Sequence, residues 1–141
     1  MTKRELNQLY YINRGIEMIK RRIEERECEA TRITTQLSDM PKASGMQDKL
    51  SRIVADIIDD KKMLMLKMEE AEIERRRLEY YIDSVGDAKI RLYMSLRFIN
   101  GFSWLQVARY AENDISEDGP RKAIERYLRE ANDNGKLAKI R

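Results

Sequence analysis

The chain contains no histidine and a single cysteine, Cys28. A Cys/His metal site is therefore excluded, and so are Cys–His and Ser–His nucleophile pairs. One thiol forms no internal disulfide and fits a reducing cytoplasm. Proline occurs twice and glycine six times in 141 residues, so long helices meet few breakers. No apolar run approaches the ~20 residues of a membrane span. The opening Met1-Thr2-Lys3-Arg4-Glu5-Leu6 is not followed by an apolar signal core. The expectation is a cytoplasmic protein that uses no metal or cofactor, is not an enzyme and does not enter a membrane.

What the chain does have is charge. Charged residues make up 38% and hydrophobic ones 42%, a mixture suited to long exposed helices. Residues 1–85 carry 17 Lys/Arg and 17 Asp/Glu, and residues 86–141 carry 11 and 8, so the net +3 sits wholly in the C-terminal part. That asymmetry suits a nucleic-acid contact there. The acidic runs Glu24-Glu25, Asp59-Asp60 and Glu69-Glu70 are flanked by Lys and Arg at helical spacing, which reads as surface ion pairing, not catalysis.

Residues 5–40 predict one long helix. One heptad column is Leu9, Ile16, Ile23, Ala30, Leu37; the other is Ile12, Ile19, Arg26, Ile33, Met40. The rod would be ~50 Å long, with Cys28 on its outer face. Pro41 and Gly45 in residues 38–48 are expected to stop it and let the chain reverse near Ala43, and Asp48 is the expected N-cap of the next helix. That helix, 49–84, has the expected seam Leu50, Val54, Ile57, Lys61, Leu64, Met68, Ala71, Arg75, Leu78, Ile82, Val85. The arms match in length, so an antiparallel coiled-coil hairpin is expected, with Arg26 beside Asp60. Tyr10, Tyr11, Ile58, Met63, Met65 and Ile73 fall off the seam. They call for a second subunit, giving a homodimer or higher oligomer through the hairpin, or for cover by residues 86–141. Tyr10, Tyr11, Tyr80 and Tyr81 are expected to pack the base of the hairpin.

Three shorter helices follow. The first spans 88–100, N-capped by Asp87, with Ile90, Tyr93, Met94, Leu96 and Phe98 inward and Asn100-Gly101 as a left-handed stop. The second spans 104–112 behind Ser103, burying Trp104, Val107, Ala108 and Ala111. The loop Asn113–Gly119 is expected to tuck Ile115 inward. The third spans 119–132, with Pro120 in its first turn and Ala123, Ile124, Tyr127 and Leu128 inward. Asn132-Asp133-Asn134-Gly135 reads as a stop, leaving a basic tail over 133–141. The layout is that of a helix-turn-helix unit.

Leu96-Arg97-Phe98-Ile99-Asn100-Gly101-Phe102-Ser103-Trp104 with Val107-Ala108 resembles the Leu-Arg-Tyr-x-x-Gly-x-Ser/Thr-x-x-x-Ile/Val-Ala run of region 4 in bacterial sigma factors. It is similar to short phage and prophage proteins of the ArpU and RinA late-transcription type, whose closing segment is matched by Asp118, Arg121, Ala123, Arg126, Tyr127 and Leu128. The resemblance implies an all-α fold: a hairpin over 1–85, a sigma region 4-like helix-turn-helix over 86–132, and the tail. It implies a DNA-binding transcriptional regulator of a phage or integrated element, reading double-stranded DNA with the helix at about 119–132, with the hairpin driving self-association or binding RNA polymerase. Arg121 and Lys122 would lie in or beside the major groove, Arg126 and Arg129 at phosphate, with Glu125 on the same face; Gln106 and Arg109 would touch backbone. Glu117 and Asp118 set acid at the reading end of that helix. From the residues alone two other readings stand: an interaction module for polymerase or a packaging partner acting through the hairpin, and a small DNA-packaging subunit.

Overall fold

The computed structural model describes residues 1–39, 44–112, 116 and 118–140. The sequence expectations at Met40, Pro41, Ala43, Asn113, Ile115 and Glu117 lie outside the described residues. Among the described residues every regular element is helical: α1 Lys3–Leu6, α2 Gln8–Asp39, α3 Ser44–Asp83, α4 Ala88–Met94, α5 Trp104–Glu112 and α6 Asp118–Ile140. The last turn of α4 widens into a π-helical turn, Ser95–Ile99. No described helix is long and apolar enough to cross a membrane.

The chain divides into two compact units, Ile12–Ala71 and the pair of segments Met1–Tyr11 with Glu72–Arg141. In the first, α2 and α3 are joined by ion pairs in antiparallel order. Glu27 meets Lys61 at 3.2 Å and Glu29, further along α2, meets Lys49, earlier in α3, at 3.2 Å. Ile16, Ile19, Ile23 and Ile33 are buried along α2 as their heptad spacing requires. Arg26 interrupts that column, and Asp60 is its partner: the carboxylate accepts from Arg26 and, at 2.7 Å, from Arg22.

That pairing corrects the expected seam of α3. Asp60 is 5% exposed and Ile53 8% exposed, so the second inward column runs through 53 and 60. The expected column, Val54, Lys61 and Met68, faces out instead. An arginine held in a helix seam needs its carboxylate on the same side, because a buried charge without a partner is costly. Asp60 is therefore not the surface residue its sequence context suggests. Burial alone would push its carboxyl up; hydrogen bonds and charge from Arg22 and Arg26 outweigh burial and hold it below the usual carboxylate range.

The start of α3 is a second correction. The helix begins at Ser44, so Gly45 lies inside it and Asp48 is a turn past the start, not the N-cap. Glycine within a helix costs only about 1 kcal/mol relative to alanine, too little to stop one that buries Ile53 a few residues on.

In the second unit Leu6, Leu9, Leu78, Ile82, Val85, Ile90, Tyr93, Met94, Leu96, Phe98, Val107, Ala108, Ile124 and Leu128 are buried. Thr2 and Glu5 form a reciprocal cap on α1: the Thr2 N–H donates to Glu5 Oε2 at 2.6 Å and the Glu5 N–H to Thr2 Oγ1 at 3.3 Å. The cap starts the helix that delivers Leu6, which is fully buried. Leu6→Ala is expected to cost about 3 kcal/mol, as large core truncations do, read as a fall in the urea midpoint. The tyrosine expectation fails for Tyr11 and Tyr80, which are 69% and 82% exposed; only Tyr81 is half-buried, and burial raises its pKa. Ile58, Met63, Met65 and Ile73 are exposed too.

Candidate nucleic-acid interface

The turn that aims α5 is fixed at three points. Asp87 caps α4, accepting from the Lys89 and Ile90 N–H groups at 2.9 and 3.3 Å. At the far end Gly101 takes φ +73°, the left-handed stop that Asn100-Gly101 predicts. The Asn100 N–H reaches Ser95 O and the Phe102 N–H reaches Leu96 O, both at 3.0 Å, closing the wide turn. Arg97 then locks it: its guanidinium lies 4.7 Å from the centre of the Trp104 ring and donates to Phe102 O at 2.9 Å. Trp104 is half-buried and meets Phe98 edge-on, so it packs the helix crossing. A Cβ at position 101 would meet nothing within 4 Å, so Gly101→Ala should cost only the backbone strain of about 1–2 kcal/mol. A thermal melt measures it.

Ser103 and Gln106 form the cap of α5. The Gln106 N–H donates to Ser103 Oγ at 3.2 Å and Gln106 Oε1 accepts from the Ser103 N–H at 2.9 Å. The side chain assigned to DNA backbone in the sequence is thus engaged in starting its own helix. At the other end of α5, Glu112 ties back to α4: Tyr93 Oη donates to it at 2.6 Å and Lys89 Nζ lies 3.2 Å away. Burial and the Glu112 bond raise the Tyr93 pKa. These groups line one side of an open, polar cleft of about 560 Å³, and Arg126 and Glu130 line the other.

On α6, Pro120, Ile124 and Leu128 are buried at four-residue spacing. The outer side therefore carries Lys122, Arg126 and Arg129, all exposed. At 3.6 residues per turn these three fall within about 60° of arc. Among the described residues no ion pair engages any of them. The other two candidates on this helix are held elsewhere. Arg121 donates to Asp118 Oδ1 at 2.6 Å and its Nε is buried. Glu125 accepts from Lys3 Nζ at 3.0 Å, and that bond, with the charges of Lys3, Arg121 and Arg129, lowers its pKa. Arg109 is exposed on α5. The acid at the helix start is thus partly met: Asp118 pairs with Arg121 in its own first turn. Asp133 continues the same face one turn past Arg129, so the basic column is short.

The helix also overruns its expected stop. It continues from Asn132 through Gly135 to Ile140. Gly135 is helical and not left-handed, since among the described residues the one positive-φ glycine is Gly101. One unfavourable residue does not end a helix already propagating.

Compared with family models, curated proteins and solved structures, the chain finds no match.

Proposed function

We propose that the protein is a DNA-binding transcriptional regulator of a phage or integrated element, acting in the cytoplasm. In this reading α4, α5 and α6 form a sigma region 4-like helix-turn-helix, α6 enters the major groove, and α2 with α3 forms a coiled-coil hairpin that brings copies together or meets RNA polymerase. The observation that carries the reading is the column Lys122, Arg126 and Arg129, free of ion pairs among the described residues and backed by the buried Ile124 and Leu128. Three cations in one column on a rigid helix can meet successive phosphates. Arg109 extends the positive surface onto α5. Arg121 and Glu125, engaged by Asp118 and Lys3, have a positioning role here, and a base contact from either requires those bonds to exchange.

A second reading has its own support. Val54, Ile58, Met65 and Met68 of α3 are exposed, which favours an interaction module working through the long helices. Salt separates the two. A phosphate-binding protein loses affinity for a random duplex steeply between about 50 and 200 mM salt. A module working through apolar contacts binds no duplex at either concentration, and that result would remove the DNA reading.

A further inference from the structure

We propose that α1 belongs to the DNA-binding face, with Arg4 a further contact to phosphate beside the basic column of α6. The inference rests on the DNA reading and extends that surface to the other end of the chain. α1 is an anchored element. Leu6 is fully buried, the reciprocal cap of Thr2 and Glu5 closes the first turn, and Lys3 Nζ lies 3.0 Å from Glu125 Oε1 on α6. The half-buried Tyr81 phenol of α3 feels both Glu5 of α1 and Tyr127 of α6. The first helix therefore lies against α6 within one compact unit.

Where Arg4 points follows from its neighbours. With Leu6 turned inward, helical spacing sends Lys3 about 60° to one side and Glu5 about 100° to the other. Lys3 meets α6, and Glu5 feels the charge of Arg77 on α3. Arg4 is left on the outward arc, about 160° from Leu6. It is exposed, and among the described residues no ion pair engages it. α6 repeats the arrangement. Glu125 stands about 100° round from the buried Ile124, and Arg129 and Lys122 follow at about 140° and 160°. They lie outward of Glu125 as Arg4 lies outward of Lys3. The Lys3–Glu125 pair between them cancels its own charge and leaves the outward cations as the net charge of this face. Size decides what Arg4 meets. A helix about 10–12 Å across fills a major groove about 12 Å wide. A second helix beside it cannot enter the same groove and lies over the strand that borders it, so its cation meets phosphate and not a base edge.

The test compares the full chain with single variants on one short duplex across a range of salt. Arg4→Ala should weaken binding roughly tenfold at about 50 mM salt and lower the slope of log affinity against log salt by about 0.9. Its thermal midpoint and helix content should match the parent, because Arg4 is exposed and outside the core. Arg4→Lys should keep the parent's slope, since a point charge suffices for a phosphate. The Lys122/Arg126/Arg129 triple-alanine variant separates this inference from the DNA reading. If that variant loses affinity and slope while Arg4→Ala keeps both, the assignment of Arg4 is overturned and the DNA reading stands. A fall in affinity for Arg4→Ala with the slope unchanged would overturn it as well, because that marks a charge acting at a distance and not a contact. A folded parent that binds no duplex overturns both.

Discussion

Asp60→Ala lowers the thermal midpoint of the full chain by roughly 5–10 °C, the largest effect expected of any single charge removed from α2 or α3. The carboxylate is buried between the two long helices and answers two arginines, Arg22 and Arg26. Taking it away leaves Arg26 in the seam with no counter-charge, and that is worse than losing a surface pair. The pH dependence has a definite sign. The folded carboxyl titrates below its unfolded value of about 3.9, so its contribution is complete above that pH and is lost as pH falls through the folded value. Asp60→Asn keeps a hydrogen-bond acceptor without the charge. It should fall between parent and alanine, and its stability should change less with pH in the acid range. Melts of the three proteins at neutral and acid pH check both points. Equal stability of parent and Asp60→Ala would show that the seam does not depend on this carboxylate.

The second large effect is on DNA. Replacing Lys122, Arg126 and Arg129 together by alanine should reduce affinity for duplex DNA by at least about a hundredfold at low salt. Each phosphate contact removed also lowers the slope of log affinity against log salt by about 0.9, so the triple variant should lose nearly three units of slope. The three residues are exposed and outside the core, so the fold should be unaffected. Gln106→Ala is a useful contrast. It breaks the cap on α5 and should act through stability, by about 1 kcal/mol, while leaving the salt slope unchanged.

The sequence was most legible where one periodicity acted alone. Leu9, Ile16 and Ile23 of one α2 column and Ile19 and Ile33 of the other, the inward residues of α4, and the Asn100-Gly101 stop all stand as their spacing requires. It was least legible where a pairing between distant residues decided the outcome. The hairpin register places Arg26 beside Asp60, as found, yet the apolar spacing within α3 puts Val54 and Lys61 in the seam, and only that long-range pairing turns Ile53 and Asp60 inward in their place. The Lys3–Glu125 bond, spanning 122 residues, is of the same kind. Other features were written locally and can be read there. Ser103-x-x-Gln106 is the spacing of a reciprocal helix cap, and Asp118 three residues before Arg121 is the spacing of a helical ion pair. Both explain side chains that the helix-turn-helix resemblance assigns to DNA. The extension of α6 past Asn132 was hidden because Asn and Gly signal a stop only when the chain adopts the left-handed turn, as at Gly101 and not at Gly135.

The most direct measurement is the affinity of the full chain and of the Lys122/Arg126/Arg129 triple-alanine variant for one short duplex, titrated across about 50 to 200 mM salt. The DNA reading predicts binding by the parent that weakens steeply with salt, and a variant with both lower affinity and a shallower slope. A folded parent that fails to bind at the lowest salt, or a variant indistinguishable from it, would contradict that reading.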